Sequence, residues 1–185
     1  MRILCKRLYS TPIKLNYIKQ SSANGLSKSP FVILHGLFGS SRNWNTVSRL
    51  LSSKSGEDVY SLDLRNHGKS VPLKQGYPVS WDLMIKDLSQ LLTDHSLSNI
   101  NLIGHSLGGQ LAMQSLFSGN TNIIDRTSKL IVVDISPRKL KFVGSSLEIL
   151  LKALIEIEKE KYVSRLQAVE HLRNYESVGT FNVNF

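Results

Sequence analysis

The sequence predicts an α/β fold in which helices cover both faces of a parallel β-sheet. Four short, mostly apolar runs are spaced so that each gap leaves room for a helix: Phe31–Leu34, Val59–Leu62, Ile100–Ile103 and Leu130–Val133. The wholly apolar run Phe31–Leu34 is typical of a strand buried on both faces. The alternation of such runs with helical patterns indicates βαβ units.

The elements follow one another in a regular order. A loosely alternating segment, residues 13–18, predicts a first strand, and the polar residues 21–30 predict a loop. Helices are expected over residues 44–51 and 107–117. The clearest helix has an apolar stripe from Trp81 to Leu92, with Ser80 placed to cap it. After Pro137 only helical patterns follow, with a stripe formed by Leu147, Leu150, Leu151, Leu154 and Ile157, and then a helix over residues 162–175.

The net charge of +9 is concentrated at the start of the chain. No Asp or Glu precedes Glu57, whereas nine Lys and Arg residues do. Residues 1–11 are basic, hydroxylated and free of acid, which is typical of a mitochondrial presequence, and Arg7-Leu8-Tyr9 resembles a matrix-protease cleavage site. We therefore expect a matrix location; the alternative is a basic terminus with no targeting role. Nucleic-acid binding is disfavoured because no aromatic platform accompanies the cations.

Composition excludes several other classes. Cys5 is the only cysteine, so the sequence predicts no disulfide framework, no thiolate metal site and no cysteine nucleophile. No apolar run is long enough to span a bilayer. The sequence predicts no cofactor and no bound metal, and it leaves the oligomeric state open.

A nucleophile motif follows the third apolar run. Gly104-His105-Ser106-Leu107-Gly108 is G-x-S-x-G between a predicted strand and a predicted helix, which is the context of a nucleophile elbow. The glycines permit the tight turn that presents a serine hydroxyl at the sheet edge. We expect Ser106 to be a nucleophile; the alternative is an ordinary turn with an idle serine.

Two further groups are expected at the same edge. Backbone N–H groups must face the oxyanion of a tetrahedral intermediate, and we expect these from Leu107 and from Leu37, in the His35-Gly36-Leu37 loop after an earlier strand. The alternative is a glycine-rich turn shaped by packing alone. Asp134, directly after the last strand, is the candidate triad acid. Its rival Asp125 precedes that strand, and a plain turn aspartate is the alternative reading.

Four motifs in order carry a family resemblance: His35-Gly36-Leu37-Phe38-Gly39-Ser40, Asp63-Leu64-Arg65-Asn66-His67-Gly68-Lys69-Ser70, Gly104-His105-Ser106-Leu107-Gly108-Gly109 and Val133-Asp134-Ile135-Ser136-Pro137. Over residues 12–140 the chain resembles the α/β-hydrolase branch of mitochondrial abhydrolase-domain-eleven proteins, related bacterial esterases and yeast ethanol acetyltransferases. The resemblance implies that Asp134 is the triad acid and that His67 lies in a structural loop. It also implies a partial α/β-hydrolase fold, with residues 12–140 as the N-terminal part of the core and residues 141–185 as part of a helical lid.

The family's triad histidine comes from a late loop, beyond two more strands. Of the five histidines, His35, His67, His95 and His105 precede Asp134, and His171 lies on a predicted lid helix. We therefore expect the triad histidine to be absent and the chain to be truncated and catalytically impaired, because a serine without its histidine loses about a million-fold in turnover.

The resemblance and the presequence together favour an ethanol O-acetyltransferase that uses acetyl-CoA, with esterase or thioesterase side activity. A carboxylic ester hydrolase is the first alternative, since the same acyl-enzyme can react with alcohol or water. A non-catalytic remnant is the second. The expected partners are a small acyl ester or thioester and an alcohol or water.

Overall fold

The computed structural model describes residues 11–23, 25–70, 78–137, 146–160, 162 and 164–176. The chain divides after Pro137 into two compact units. The first contains a five-stranded sheet, and the second contains two helices. The predicted presequence lies outside the described residues except for Thr11. In the described ranges no helix combines the length and the apolar character needed to cross a membrane.

The sheet has the strand order β1-β3-β2-β4-β5. Its strands are β1 Tyr17–Gln20, β2 Phe31–Leu34, β3 Val59–Leu62, β4 Ile100–His105 and β5 Thr127–Val133. Strands β2 to β5 are parallel, as predicted, but β1 runs antiparallel to β3. Ten residues connect β1 to β2, too few for the crossover that two parallel strands of one sheet require. Strand β1 therefore runs antiparallel to β2 and to its neighbour β3.

The first strand also begins later than predicted. The backbone N–H of Ile13 donates to Asp87 Oδ1 at 2.8 Å, and that of Asn16 donates to Ser70 Oγ at 2.8 Å. These side chains take the hydrogen bonds that a neighbouring strand would otherwise form. Regular pairing therefore starts only at Tyr17.

Helices cover both faces of the sheet, as predicted. They are α1 Asn45–Ser55, α2 Trp81–Asp94, α3 Leu107–Phe117 and α4 Thr121–Ile124. Alternate strand residues such as Leu34 and Leu102 join the stripes of α2 and α3 in the larger core. On the other face Ile33 and Ile103 pack with Leu51 of α1. Ser80 caps α2 by accepting from the Leu83 N–H at 3.3 Å.

Three short elements were not predicted. A 3₁₀ helix, Ser41–Trp44, precedes α1, a second one, Gly68–Ser70, follows β3, and α4 is a single turn capped by Asp125. Such single turns carry too few residues to show an apolar period.

The second unit holds α5 Ser146–Glu160 and α6 Arg165–Glu176, where two helices were expected. His171 on α6 accepts from or donates to the Tyr162 hydroxyl, with 2.9 Å between Nδ1 and the oxygen. Its Nε2 lies 3.3 Å from Glu156 Oε2. His171 therefore contacts neighbours within its own unit. The assignment of residues 141–185 to a lid stays a prediction.

Candidate active site

Ser106 occupies a sharp turn between β4 and α3. Its backbone has φ 50° and ψ −114°, a conformation that L-residues rarely adopt. The turn closes tightly: a Cβ on Gly104 would lie 2.3 Å from the Gly108 carbonyl oxygen, and a Cβ on Gly108 would lie 2.3 Å from that of Leu34. Both glycines are therefore required by backbone-to-backbone contact. This is the geometry of a nucleophile elbow.

The elbow is joined to the end of β5. The Ser106 N–H donates to the Val133 carbonyl at 3.0 Å, which continues the β4–β5 pairing beyond the strand. Asp134 is the next residue, with φ 55°, and its side chain is 84% exposed. Its Oδ2 lies 3.7 Å from His105 Nε2. Ser106 and Asp134 therefore share one edge of the sheet.

The loop after β2 packs directly on the elbow. A Cβ on Gly36 would lie 2.8 Å from His105 Nδ1 and 3.3 Å from Ser106 Cβ, so only glycine lets the loop approach this closely. The Gly39 N–H donates to the Gly36 carbonyl at 3.0 Å and closes a turn around Leu37. Leu107 is the first residue of α3, where backbone N–H groups lack intrahelical acceptors. Both expected oxyanion donors thus belong to segments that meet at Ser106.

A cavity of about 230 Å³ lies between this loop and His105. Gly36 and Leu37 line one side, and Asn43, Trp44 and His105 line the other. The Trp44 and His105 rings are packed edge to face, with their centroids 6.4 Å apart. The cavity has room for a small acyl group beside the elbow. Trp44 was not predicted as a site residue; it was expected only as the first residue of a helix.

His35 supports the loop and does not face the cavity with a free ring nitrogen. Its buried Nε2 accepts from the Leu64 N–H at 3.0 Å. The proton must then reside on Nδ1, which donates to the Gly36 carbonyl at 2.7 Å. Burial lowers the pKa of His35, so the ring is neutral at pH 7. The buried, neutral imidazole therefore links the backbone of the loop at Gly36 to the backbone of Leu64.

The Asp63–Ser70 loop is held by two buried carboxylates. Asp63 accepts from the Ser41 N–H at 2.6 Å and the Lys69 N–H at 2.9 Å. Burial raises the pKa of the Asp63 carboxyl, but these hydrogen bonds outweigh it and leave the pKa below its usual value. Arg65 donates to both carboxylate oxygens of Asp87, each at 2.7 Å. The loop therefore has a structural role, and Asp87 is the partner that sequence reasoning missed.

A signal for Asp87 was present in the sequence. It stands three residues after Met84 and four after Leu83, and so falls on the buried stripe of α2. A carboxylate at such a position requires a cation or several donors. Arg65 was the available partner, but nothing in the sequence places the two side by side.

No histidine of the described residues hydrogen-bonds to Ser106. His67 bonds the Arg65 carbonyl through Nδ1 at 2.9 Å, and His95 packs edge to face on Tyr17. His105 is nearest, but its Nε2 faces Asp134. Within the described ranges no three His, Cys, Asp or Glu side chains are arranged to hold a metal ion.

Several known proteins resemble this chain in sequence. The family model described as the alpha/beta hydrolase fold matches residues 29–116. Ethanol acetyltransferase 1 of Cyberlindnera fabianii is 29% identical over 75% of this chain and 39% of its own length. The sn-1-specific diacylglycerol lipase ABHD11 of Danio rerio is 38% identical over 69% of this chain and 38% of its own.

A solved structure agrees with this placement. The structure titled "Marine microorganism esterase" superposes with a TM-score of 0.71 at 30% identity, covering 88% of this chain and 59% of that one. The chain spans less than half the length of the curated relatives it matches. The parallel sheet, the glycine-flanked Ser106 turn and these relatives together make the chain a member of the α/β-hydrolase superfamily.

Proposed function

We propose that Ser106 is the nucleophile of an acyl-transfer reaction. The observation that carries this proposal is the strained Ser106 backbone, held at the sheet edge beside Asp134. Proteins concentrate such strain at functional sites, because an idle turn would relax or use glycine. The sharp turn also places Ser106 at the N-terminus of α3, where developing negative charge is favoured.

The reaction follows from this placement. Ser106 Oγ attacks the carbonyl carbon of an ester or thioester while its proton passes to a base. The backbone N–H groups of Leu37 and Leu107 donate to the resulting oxyanion. When the intermediate collapses, the alcohol or thiol leaves with a proton and the acyl group stays on Ser106. An incoming alcohol or water then takes the acyl group and restores the serine.

We propose acetyl-CoA as donor and ethanol as acceptor, which gives ethyl acetate. The support is the relative named ethanol acetyltransferase, together with the motifs from His35 to Pro137. A carboxylic ester hydrolase is the second candidate. It is favoured by the 30% identical structure titled an esterase, and esterase or thioesterase side activity needs only water as acceptor.

Asp134 would orient a histidine that the described residues do not supply. We propose that the chain by itself turns over slowly, since removing the histidine of a triad lowers turnover by about a million-fold. Free imidazole would then substitute for the missing base. A non-catalytic role is the alternative, and labelling separates the two.

The test is reaction of the purified chain with a fluorophosphonate probe, with and without imidazole. Ser106→Ala is the control for the labelled position, and Ser118→Ala, at the far end of α3, is a control for loss of an exposed hydroxyl. We expect labelling that needs Ser106 and rises with imidazole. Ethyl acetate and acetate are then measured together to identify the acceptor. If Ser106→Ala labels as strongly as the parent chain, the proposal is refuted.

We also propose that residues 1–11 direct the protein to the mitochondrial matrix. The support is compositional: cations and hydroxyl groups without acid. A fluorescent reporter fused behind residues 1–25 should enter mitochondria, and a matched fusion with Arg2, Lys6 and Arg7 changed to Gln should not. A cytosolic parent fusion would contradict the proposal.

A further inference from the structure

A second, larger cavity opens at the same sheet edge. It measures about 450 Å³ and is lined by residues that follow strands β2 and β3 and by the start of β1, among them Asn16, Ser41, Arg42, Asp63 and Lys69. Strand β2 separates β3 from β4, so the cavity lies roughly 10 Å along the rim from the Ser106 turn. We call it the Arg42–Lys69 cavity.

The two cations of this cavity are not neutralised. Arg42 and Lys69 are exposed, and among the described residues neither has a carboxylate within 4.0 Å. Lys19, by contrast, is paired with Asp58 at 2.8 Å. Asp63 also lines the cavity, but its oxygens accept from Ser41, Lys69 and Asn16 at 2.6 to 2.9 Å. Asp63 is itself buried and its oxygens are engaged by protein donors, so the exposed charged side chains that line the cavity are the two cations.

One short element connects this cavity with the acyl site. The 3₁₀ helix Ser41–Trp44 presents Arg42 to the Arg42–Lys69 cavity and Asn43 and Trp44 to the smaller cavity beside Leu37. A ligand whose carbonyl lies at Ser106 can therefore extend past this helix and end between the cations. A short ester would fill only the smaller cavity.

We propose that the Arg42–Lys69 cavity binds the phosphate groups of a coenzyme A thioester. The inference rests on the proposed acyl transfer. It assigns the binding of the phosphate groups of the acyl donor to Arg42 and Lys69, which take no part in the acyl transfer itself. Guanidinium binds phosphate through paired hydrogen bonds, and an ammonium adds a point charge. A long carrier with charged phosphates can span the distance along the rim and has the charge that the two exposed cations would bind.

Calorimetric titration of the chain with coenzyme A tests the inference without catalysis. Arg42→Gln and Lys69→Gln should each weaken coenzyme A binding about tenfold, the effect of one charge-assisted hydrogen bond. Arg49→Gln is the matched control, because Arg49 is an exposed cation on α1 outside the cavity. Melting temperatures establish that each variant is folded. Pantetheine, which lacks phosphate, should bind all variants equally.

The outcomes separate this inference from the proposed function. Coenzyme A binding that is absent, that is insensitive to Arg42 and Lys69, or that is matched in affinity by inorganic phosphate alone overturns the inference. Failure of Ser106 to label, with cation-dependent coenzyme A binding intact, overturns the catalytic proposal and leaves the binding site standing.

Discussion

The buried ion pair between Arg65 and Asp87 makes a quantitative prediction about stability. The two side chains are only 2% and 1% exposed, and two 2.7 Å hydrogen bonds join them. Asp87→Asn keeps the shape of the side chain but removes its charge. The guanidinium then remains in the interior without a counter-ion.

The expected loss is about 3–5 kcal/mol in the free energy of unfolding, the range for breaking one side of a buried pair. Against a typical total of about 5–15 kcal/mol, this is at least about a fifth of the stability of a small domain. Asp94→Asn, on the exposed last turn of the same helix, should change it by less than about 0.5 kcal/mol.

The double variant Arg65→Met, Asp87→Leu should lose less stability than the single variants Arg65→Met and Asp87→Leu added together, because neither charge is then left unpaired. It will not be neutral. Arg65 also donates to the Pro78 and Thr11 carbonyls at 3.2 Å, and Asp87 accepts from the Ile13 N–H, so three backbone groups lose a partner. Each costs about 1 kcal/mol.

Urea denaturation followed by circular dichroism measures these differences. The parent, Asp87→Asn, Arg65→Met, Asp87→Leu, the double variant and Asp94→Asn are compared at one pH and salt concentration. A loss below about 1 kcal/mol for Asp87→Asn, or additive losses in the double variant, would refute the reasoning from an unpaired buried charge.

Two further predictions concern the elbow and pH. Gly108→Ala should slow imidazole-assisted labelling of Ser106 about 100-fold. The new methyl group would lie roughly 1 Å too close to the Leu34 carbonyl oxygen and must displace α3. Gly119→Ala, two residues beyond the end of the same helix, meets nothing within 4 Å and should lower only the melting temperature; equal labelling of both variants would contradict this. For His35 the unfolded chain takes up a proton near pH 6.5 and the folded chain only at lower pH, so stability is present above about pH 6.5 and is lost as pH falls. Unfolding free energies from about pH 7 to pH 5 should show this slope, at most about 1.4 kcal/mol per unit for this group, and His35→Gln should flatten it; an unchanged slope would exclude His35 as its source.

The parallel part of the fold could be predicted because its strands are mostly apolar and alternate with helical patterns. Phe31–Leu34 and Val59–Leu62 were predicted to the residue, although Ser61 interrupts the second run. Antiparallel β1 was not predicted in direction, and residues 13–16 were assigned to it wrongly. Their backbone hydrogen bonds go to side chains more than fifty residues away, which no local pattern encodes.

The candidate site was predictable wherever it follows a strand. Ser106 and Asp134 come from the ends of neighbouring strands, and the topology alone brings those ends together. The Arg65–Asp87 pair and the Arg42–Lys69 cavity depend on how loops fold over the rim. The sequence gives only an indirect indication of each. For the ion pair it is a carboxylate on an apolar stripe, and for the cavity it is a run of fifty-six residues without Asp or Glu.

The hydrogen bond from Ser106 to Val133 ties the proposed nucleophile to the outermost strand of the described sheet. Strand β5 pairs with β4 alone in this part of the chain, and Leu130, Ile131 and Val133 are more than a third exposed. Deuterium can therefore replace the Ser106 amide proton only when β5 separates from its neighbour. The exchange rate at this single amide reports how often the rim opens, and a strand added beyond β5 would slow it.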